Sequence, residues 1–191
     1  MKVPIKLCYN WVERVIYMHT KVILIRHGEP RYDEVHQRKF PGMGYELGRL
    51  TERGIIQAEK RAKDPILNGA QLIISSPYTR ALQTAAIISR ITNIPLVVEN
   101  DLHEWMPDVT FKFDFDVPQS FDEYMKLRGI PLSERKYPWE SYEEIQKRVK
   151  NVVSKYTDYD KIIVVCHGIV ISAFTHFDDV IEHCGIRETV I

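Results

Sequence analysis

Apolar residues along the chain fall into short continuous runs separated by amphipathic stretches. Four runs, at 21–25, 71–75, 95–99 and 161–166, are rich in Val, Ile and Leu and bounded by polar or turn residues. Each predicts a strand buried on both faces, as in a parallel sheet covered by helices. Between them the apolar spacing lengthens to a helical period. Thr51 is placed as an N-cap with Leu50 as its staple residue, and Ile55, Ile56, Ala58, Ala62 and Ile66 form a stripe to about residue 67. Ser76 and Pro77 read as the cap and first turn of a helix whose Tyr78, Ala81, Leu82, Ala85 and Ile88 share a face. Ser141 and Glu144 form a capping box ahead of a stripe through Ile145, Val149 and Val152. A last helix is expected from about Ile169 to His183.

Residues 31–49 are polar and glycine-punctuated, which predicts a loop excursion. Residues 100–140 are irregular, with a short helix between Ser120 and Arg128, and read as an insertion near the site within one domain at 18–191. Residues 1–17 read either as an edge strand, from the alternation of Val3, Ile5, Leu7 and Tyr9, or as an extension ahead of a start at Met18. The fold class expected is α/β, a three-layer α/β/α sandwich around a mainly parallel sheet.

Composition narrows this picture. Of 191 residues, 26 are Lys or Arg and 26 are Asp or Glu, and 45% are hydrophobic. An ordered globular core is affordable at that apolar fraction. Zero net charge argues against nucleic acid or an anionic membrane surface as partner. No run reaches the roughly 18 apolar residues of a membrane span, and the first residues lack a signal-peptide pattern. Cys8, Cys166 and Cys184 make neither a disulfide framework nor a zinc site, so a reducing cytoplasm is the expected compartment. Oligomeric state leaves no trace in the sequence.

Ligands of open α/β sheets bind beyond the carboxyl ends of the strands. The first strand ends in Arg26 and His27, and the fourth ends in His167. Arg80 follows the second strand, and Glu104 follows the third. Arginine forks match phosphate oxygens. A histidine held among cations stays neutral and nucleophilic. A carboxyl whose pKa is raised can protonate a leaving oxygen. Together these residue types suffice for phosphoryl transfer with no metal and no cofactor.

The same residues carry a resemblance to a family. Leu24–Glu29 (LIRHGE), Leu50–Ala58 (LTERGIIQA), Ser75–Ala85 (SSPYTRALQTA) and Val164–Gly168 (VVCHG) stand in order and spacing. They are similar to the motifs of the histidine phosphatase superfamily, also called phosphoglycerate-mutase-like. The resemblance implies His27 as the phosphorylated nucleophile, with Arg26, Arg80 and His167 binding the phosphoryl group. Glu104 would be the proton donor, with Glu99 and Asp101 as rivals. Two positions depart from the family: Asp33 stands where many members have an Asn, and Pro30 where Ser or Thr is common. The family holds both hydrolases and mutases. The chain lacks the tyrosine-glycine-rich segment that mutases carry after the donor glutamate. This favours a phosphomonoesterase acting on a small phosphorylated metabolite, with a phosphoglycerate mutase-type phosphotransferase as the alternative. A catalytically weak phospho-ligand binding module is the reading from a different class. His19, His36, His103, His176 and His183 are assigned no catalytic role, and Cys166 is read as a packed, inert thiol. Phe111, Phe113, Phe115 and Phe121 would either line a substrate mouth or pack the insertion.

Overall fold

The computed structural model describes residues 19–191. The expected strand in residues 3–9 lies outside them. Among the described residues five strands form one sheet: β1 (Lys21–Arg26), β2 (Leu72–Ser75), β3 (Leu96–Val98), β4 (Lys161–Cys166) and β5 (Ile186–Val190), in the order β3-β2-β4-β1-β5. The four predicted strands are mutually parallel, and β5 runs antiparallel to β1 at the edge.

Alternation along each central strand divides the core. Val22, Leu24, Leu72, Ile74, Ile162 and Val164 face one layer, where they pack with Trp139, Tyr124 and helices α5 (Tyr142–Val153) and α6 (Gly168–Ser172). Ile23, Ile25, Ile73, Ile163 and Val165 face the other, against Ala62 after α2 (Glu52–Arg61) and Ala81, Ala85 and Ile88 of α3 (Thr79–Thr92). These strand residues are fully or almost fully buried. Each such side chain contributes about 1.5–3 kcal/mol of transfer free energy.

The Thr51 cap is present, its side chain accepting from Gly54 N–H, and the Ser141–Glu144 capping box is complete. Three expectations need correction. The segment 31–49 is not all loop: it holds α1 (Asp33–Arg38) and a 3-10 turn at Gly42–Leu47. Helix α3 begins at Thr79 with Tyr78 at its N-cap, and the Ser76 hydroxyl, 2.7 Å from His167 Nε2, accepts from Tyr78 N–H at 3.3 Å ahead of the helix. The last helix stops at Ser172, where the apolar run gives way to polar turns, and the chain returns as β5. Within 100–140 the short helix is α4 (Val117–Lys126).

The register aligns the carboxyl ends of the strands. Arg26 pairs with Cys166, and Ser75 pairs with Val165. His27, Ser76 and His167 therefore leave the sheet at one edge.

Candidate active site

The loop after β1 is held by the motif residues. A Cβ on Gly28 would lie 2.6 Å from the Gly54 carbonyl, and one on Gly54 would lie 2.3 Å from that of Glu29. Only two glycines allow this approach. Gly28 N–H donates to Thr84 Oγ1 at 3.0 Å, and Glu29 N–H donates to Gln57 Oε1 at 2.8 Å. Leu50 N–H donates to Gln83 Oε1 at 2.9 Å. The polar residues of the α2 and α3 motifs thus fix the backbone that carries His27.

His27 is 4% exposed. Its Nδ1 lies 2.8 Å from the Gly28 carbonyl oxygen. A carbonyl only accepts, so Nδ1 carries the proton and Nε2 keeps its lone pair. Arg80 Nε stands 3.3 Å from that Nε2. Burial, then the charges of Arg80 and Arg26, outweigh the Gly28 bond and hold the imidazole down from 6.5 to about 3. His27 is therefore neutral at physiological pH. The His167 ring is 5.2 Å from that of His27 and fully buried, with Nε2 2.7 Å from Ser76 Oγ. Burial and the nearby Arg80 hold it well below its usual range too.

Arg26 donates through Nη1 to the Ile181 carbonyl. Its Nε, 3.9 Å from where a Cβ on Gly168 would stand, is buried without a partner, as is His167 Nδ1. Buried polar atoms without partners are rare. Beside His27 they fit a ligand rich in acceptor oxygens.

Glu104 reaches this site. It lines the same cavity as Arg26 and Gly168 and feels the charge of Arg80. Burial raises its carboxyl pKa, against hydrogen bonds from Trp105 and Ile169 N–H. Its rivals lie elsewhere: Glu99 is bound to Lys155 and Tyr156, and Asp101 is exposed. Asp33 is also outside, in an exposed pair with Arg31. Cys166 is buried and free, with its thiol pKa raised by burial.

Four neighbours of the site escaped the sequence reading. Glu46, in the 3-10 turn, pairs with Arg80. Ser76 holds His167. His183 lies 5.6 Å from His27, ring to ring, and lowers its pKa further. Arg148 of α5 forms a fork on Glu140 at 2.6 and 3.0 Å and donates to the carbonyls of Asp101, His103 and Glu104. That cation fixes the segment carrying Glu104. Arg148→Lys keeps the charge but loses the fork. It is expected to lower kcat by up to about 10²-fold, more than it changes KM. The loss should be larger for an alkyl phosphate than for p-nitrophenyl phosphate, whose leaving group needs no proton. An equal loss on both would contradict a positioning role.

The depressed His27 pKa also predicts a pH dependence of stability. Between about 3 and 6.5 the unfolded imidazole binds a proton that the folded one refuses. Stability is therefore present above 6.5 and falls as pH drops, by up to about 1.4 kcal/mol per pH unit for each such histidine. Urea midpoints measured from pH 7 to 5 should fall less steeply in His27→Gln than in the wild type. Equal slopes would refute the assignment.

Known proteins are similar to this chain in sequence and in fold. The protein named "Putative phosphoserine phosphatase 2" of Hydrogenobacter thermophilus is 28% identical over 156 residues, covering 78% of this chain and 73% of that one. The uncharacterized phosphatase PhoE of Bacillus subtilis is 28% identical over 166 residues, covering 81% and 75%. Among solved structures, a mycobacterial glucosyl-3-phosphoglycerate phosphatase superposes with a TM-score of 0.65 at 19% identity, covering 89% of each chain. A phosphoglycerate mutase from Bacillus anthracis gives 0.66 at 16% identity, covering 91% and 88%. Residues 22–177 match the sequence profile of the histidine phosphatase superfamily (branch 1), and the chain belongs to that superfamily.

Proposed function

We propose that the protein is a phosphomonoesterase that hydrolyses a small phosphorylated metabolite through a phosphohistidine at His27. The observation that carries this reading is the neutral His27, its Nε2 lone pair facing Arg80, with Glu104, raised in pKa, close enough to act on Arg26 and Arg80. Arg26, Arg80 and His167 hold the phosphoryl oxygens, as guanidinium and imidazole donors around a tetrahedral anion. His27 Nε2 attacks phosphorus as the ester P–O bond breaks. Protonated Glu104 gives its proton to the leaving oxygen, which departs as the alcohol. The positive charge on the phosphorylated ring is stabilised by Nδ1–H donating to Gly28 O. Glu104, now a carboxylate, takes a proton from water. The resulting hydroxide attacks phosphorus, the P–N bond breaks, and inorganic phosphate leaves. His27 is neutral and Glu104 protonated again.

Each step uses side chains of this chain, so the reading calls for no metal. Buried, free Cys166 and Cys184 accord with a reducing cytoplasm. No described helix is long and apolar enough to cross a membrane. The reading is tested by phosphate release from phenyl phosphate with no bisphosphate primer added. Absence of release across the pH range would refute it.

A further inference from the structure

The walls of the cavity that Arg26, Glu46 and Glu104 line carry chemistry beyond phosphate capture. A cavity of about 490 Å³ is lined by Trp105, Phe121, Tyr124, Ile169, Phe177 and Ile181, among others. Arg26 is the one cationic side chain among the described residues that line it, and the mechanism commits Arg26 to the phosphoryl group. The acids on the wall outnumber it: Glu46, Glu104, Asp178 and Asp179. Asp178 and Asp179 are already paired with Arg128 and Arg187, which leaves those arginines compensated.

A second cavity, of about 680 Å³, shares Tyr45, Glu46, Trp105, Pro107 and Phe121 with the first and adds Phe40, Met43 and Phe113. Among its described lining residues there is no Lys or Arg, and its one imidazole, His36, stands 5.6 Å from the Tyr45 ring, centroid to centroid. Trp105 and Phe121 give the two cavities a shared aromatic wall, and Glu46 lines both, with its carboxylate on Arg80. A substrate group just beyond the phosphate therefore meets a carboxylate first and aromatic rings after it.

Building on the phosphatase reading, we infer that this site selects monophosphate esters of uncharged apolar or aromatic alcohols, with Glu46 rejecting substrates that bear a second anionic group. A carboxylate or second phosphate would have to shed water between apolar walls, face Glu46 and find no uncommitted Lys or Arg among the described lining residues. An aryl group loses nothing by entering and gains ring contacts with Trp105 and Phe121.

The test compares kcat/KM for 2-naphthyl phosphate with kcat/KM for 3-phosphoglycerate and O-phosphoserine. The wild type should prefer the naphthyl ester by on the order of 10²-fold. Glu46→Gln should narrow that preference by about tenfold, by improving the anionic substrates. Phe121→Ala should narrow it by about tenfold from the other side, through loss of the naphthyl ester alone. Equal rates, or a preference for either carboxylate-bearing substrate, would overturn the inference. An unchanged preference in Glu46→Gln would remove Glu46 from it. Should no substrate be turned over, the phosphatase reading fails by itself. The inference is then decided by calorimetric binding of phenylphosphonate against 3-phosphonopropanoate. Tighter aryl binding supports it, and equal, reversed or absent binding refutes it.

Discussion

Replacing His27 by glutamine is expected to lower kcat by about 10⁴-fold or more while leaving binding of phosphate analogues largely intact. The loss is large because no neighbouring group can take over the attack. His167 Nε2 is engaged with Ser76, and the His183 ring stands 5.6 Å from that of His27, centroid to centroid. Binding should persist because, in the reaction proposed, Arg26, Arg80 and His167 hold the anion independently of the nucleophile. Glutamine is the better probe than alanine, since His27 is buried and a cavity would add a folding cost. Near-wild-type turnover in His27→Gln would contradict the reaction proposed. Retained cellular function without turnover would instead favour the binding-module reading.

Glu104→Gln is the second large effect. Loss of a positioned general acid costs about 10²–10⁴-fold, and here the cost should depend on the leaving group. An alkoxide needs the proton, so alkyl phosphates should show the full loss. The p-nitrophenolate ion leaves unaided, so p-nitrophenyl phosphate should show little. The pH profile gives an independent sign. Burial keeps Glu104 protonated to higher pH than an ordinary carboxyl, and activity on alkyl phosphates falls as pH rises through that raised value. The same alkaline limb should vanish in Glu104→Gln. A loss independent of leaving group would place Glu104 outside proton transfer.

What the sequence made legible follows from where the information lies. The four parallel strands are continuous apolar runs because both of their faces are buried, and such runs are read locally. β5 was missed because its residues are only half-buried or exposed at the sheet edge, and its pairing with β1 spans the chain. The expected helix at 169–183 failed because five apolar residues in six (169–171, 173 and 174) imitate a longer element. In the candidate site, Arg26, His27, Arg80, Glu104 and His167 could be singled out because each lies at or beyond a strand end, and the topology brings strand ends together. Glu46 and Arg148 were not readable. The partner of Glu46 lies 34 residues away and the carbonyls that Arg148 binds lie 44 to 47 away, and nothing in a charged turn or on a charged helix face announces an inward contact. Ser76 carried a misleading signal, since a serine before proline reads as a helix cap.

The central claim is a covalent bond between phosphorus and His27. Rapid base quench during turnover of phenyl phosphate, followed by peptide mapping, tests it directly, because phosphohistidine survives base and is lost in acid. A base-stable, acid-labile phosphoryl group on the peptide containing His27, absent from His27→Gln, is the predicted result. Steady release of phosphate with no phosphoryl-enzyme at any time, or with the label on another residue, would contradict it.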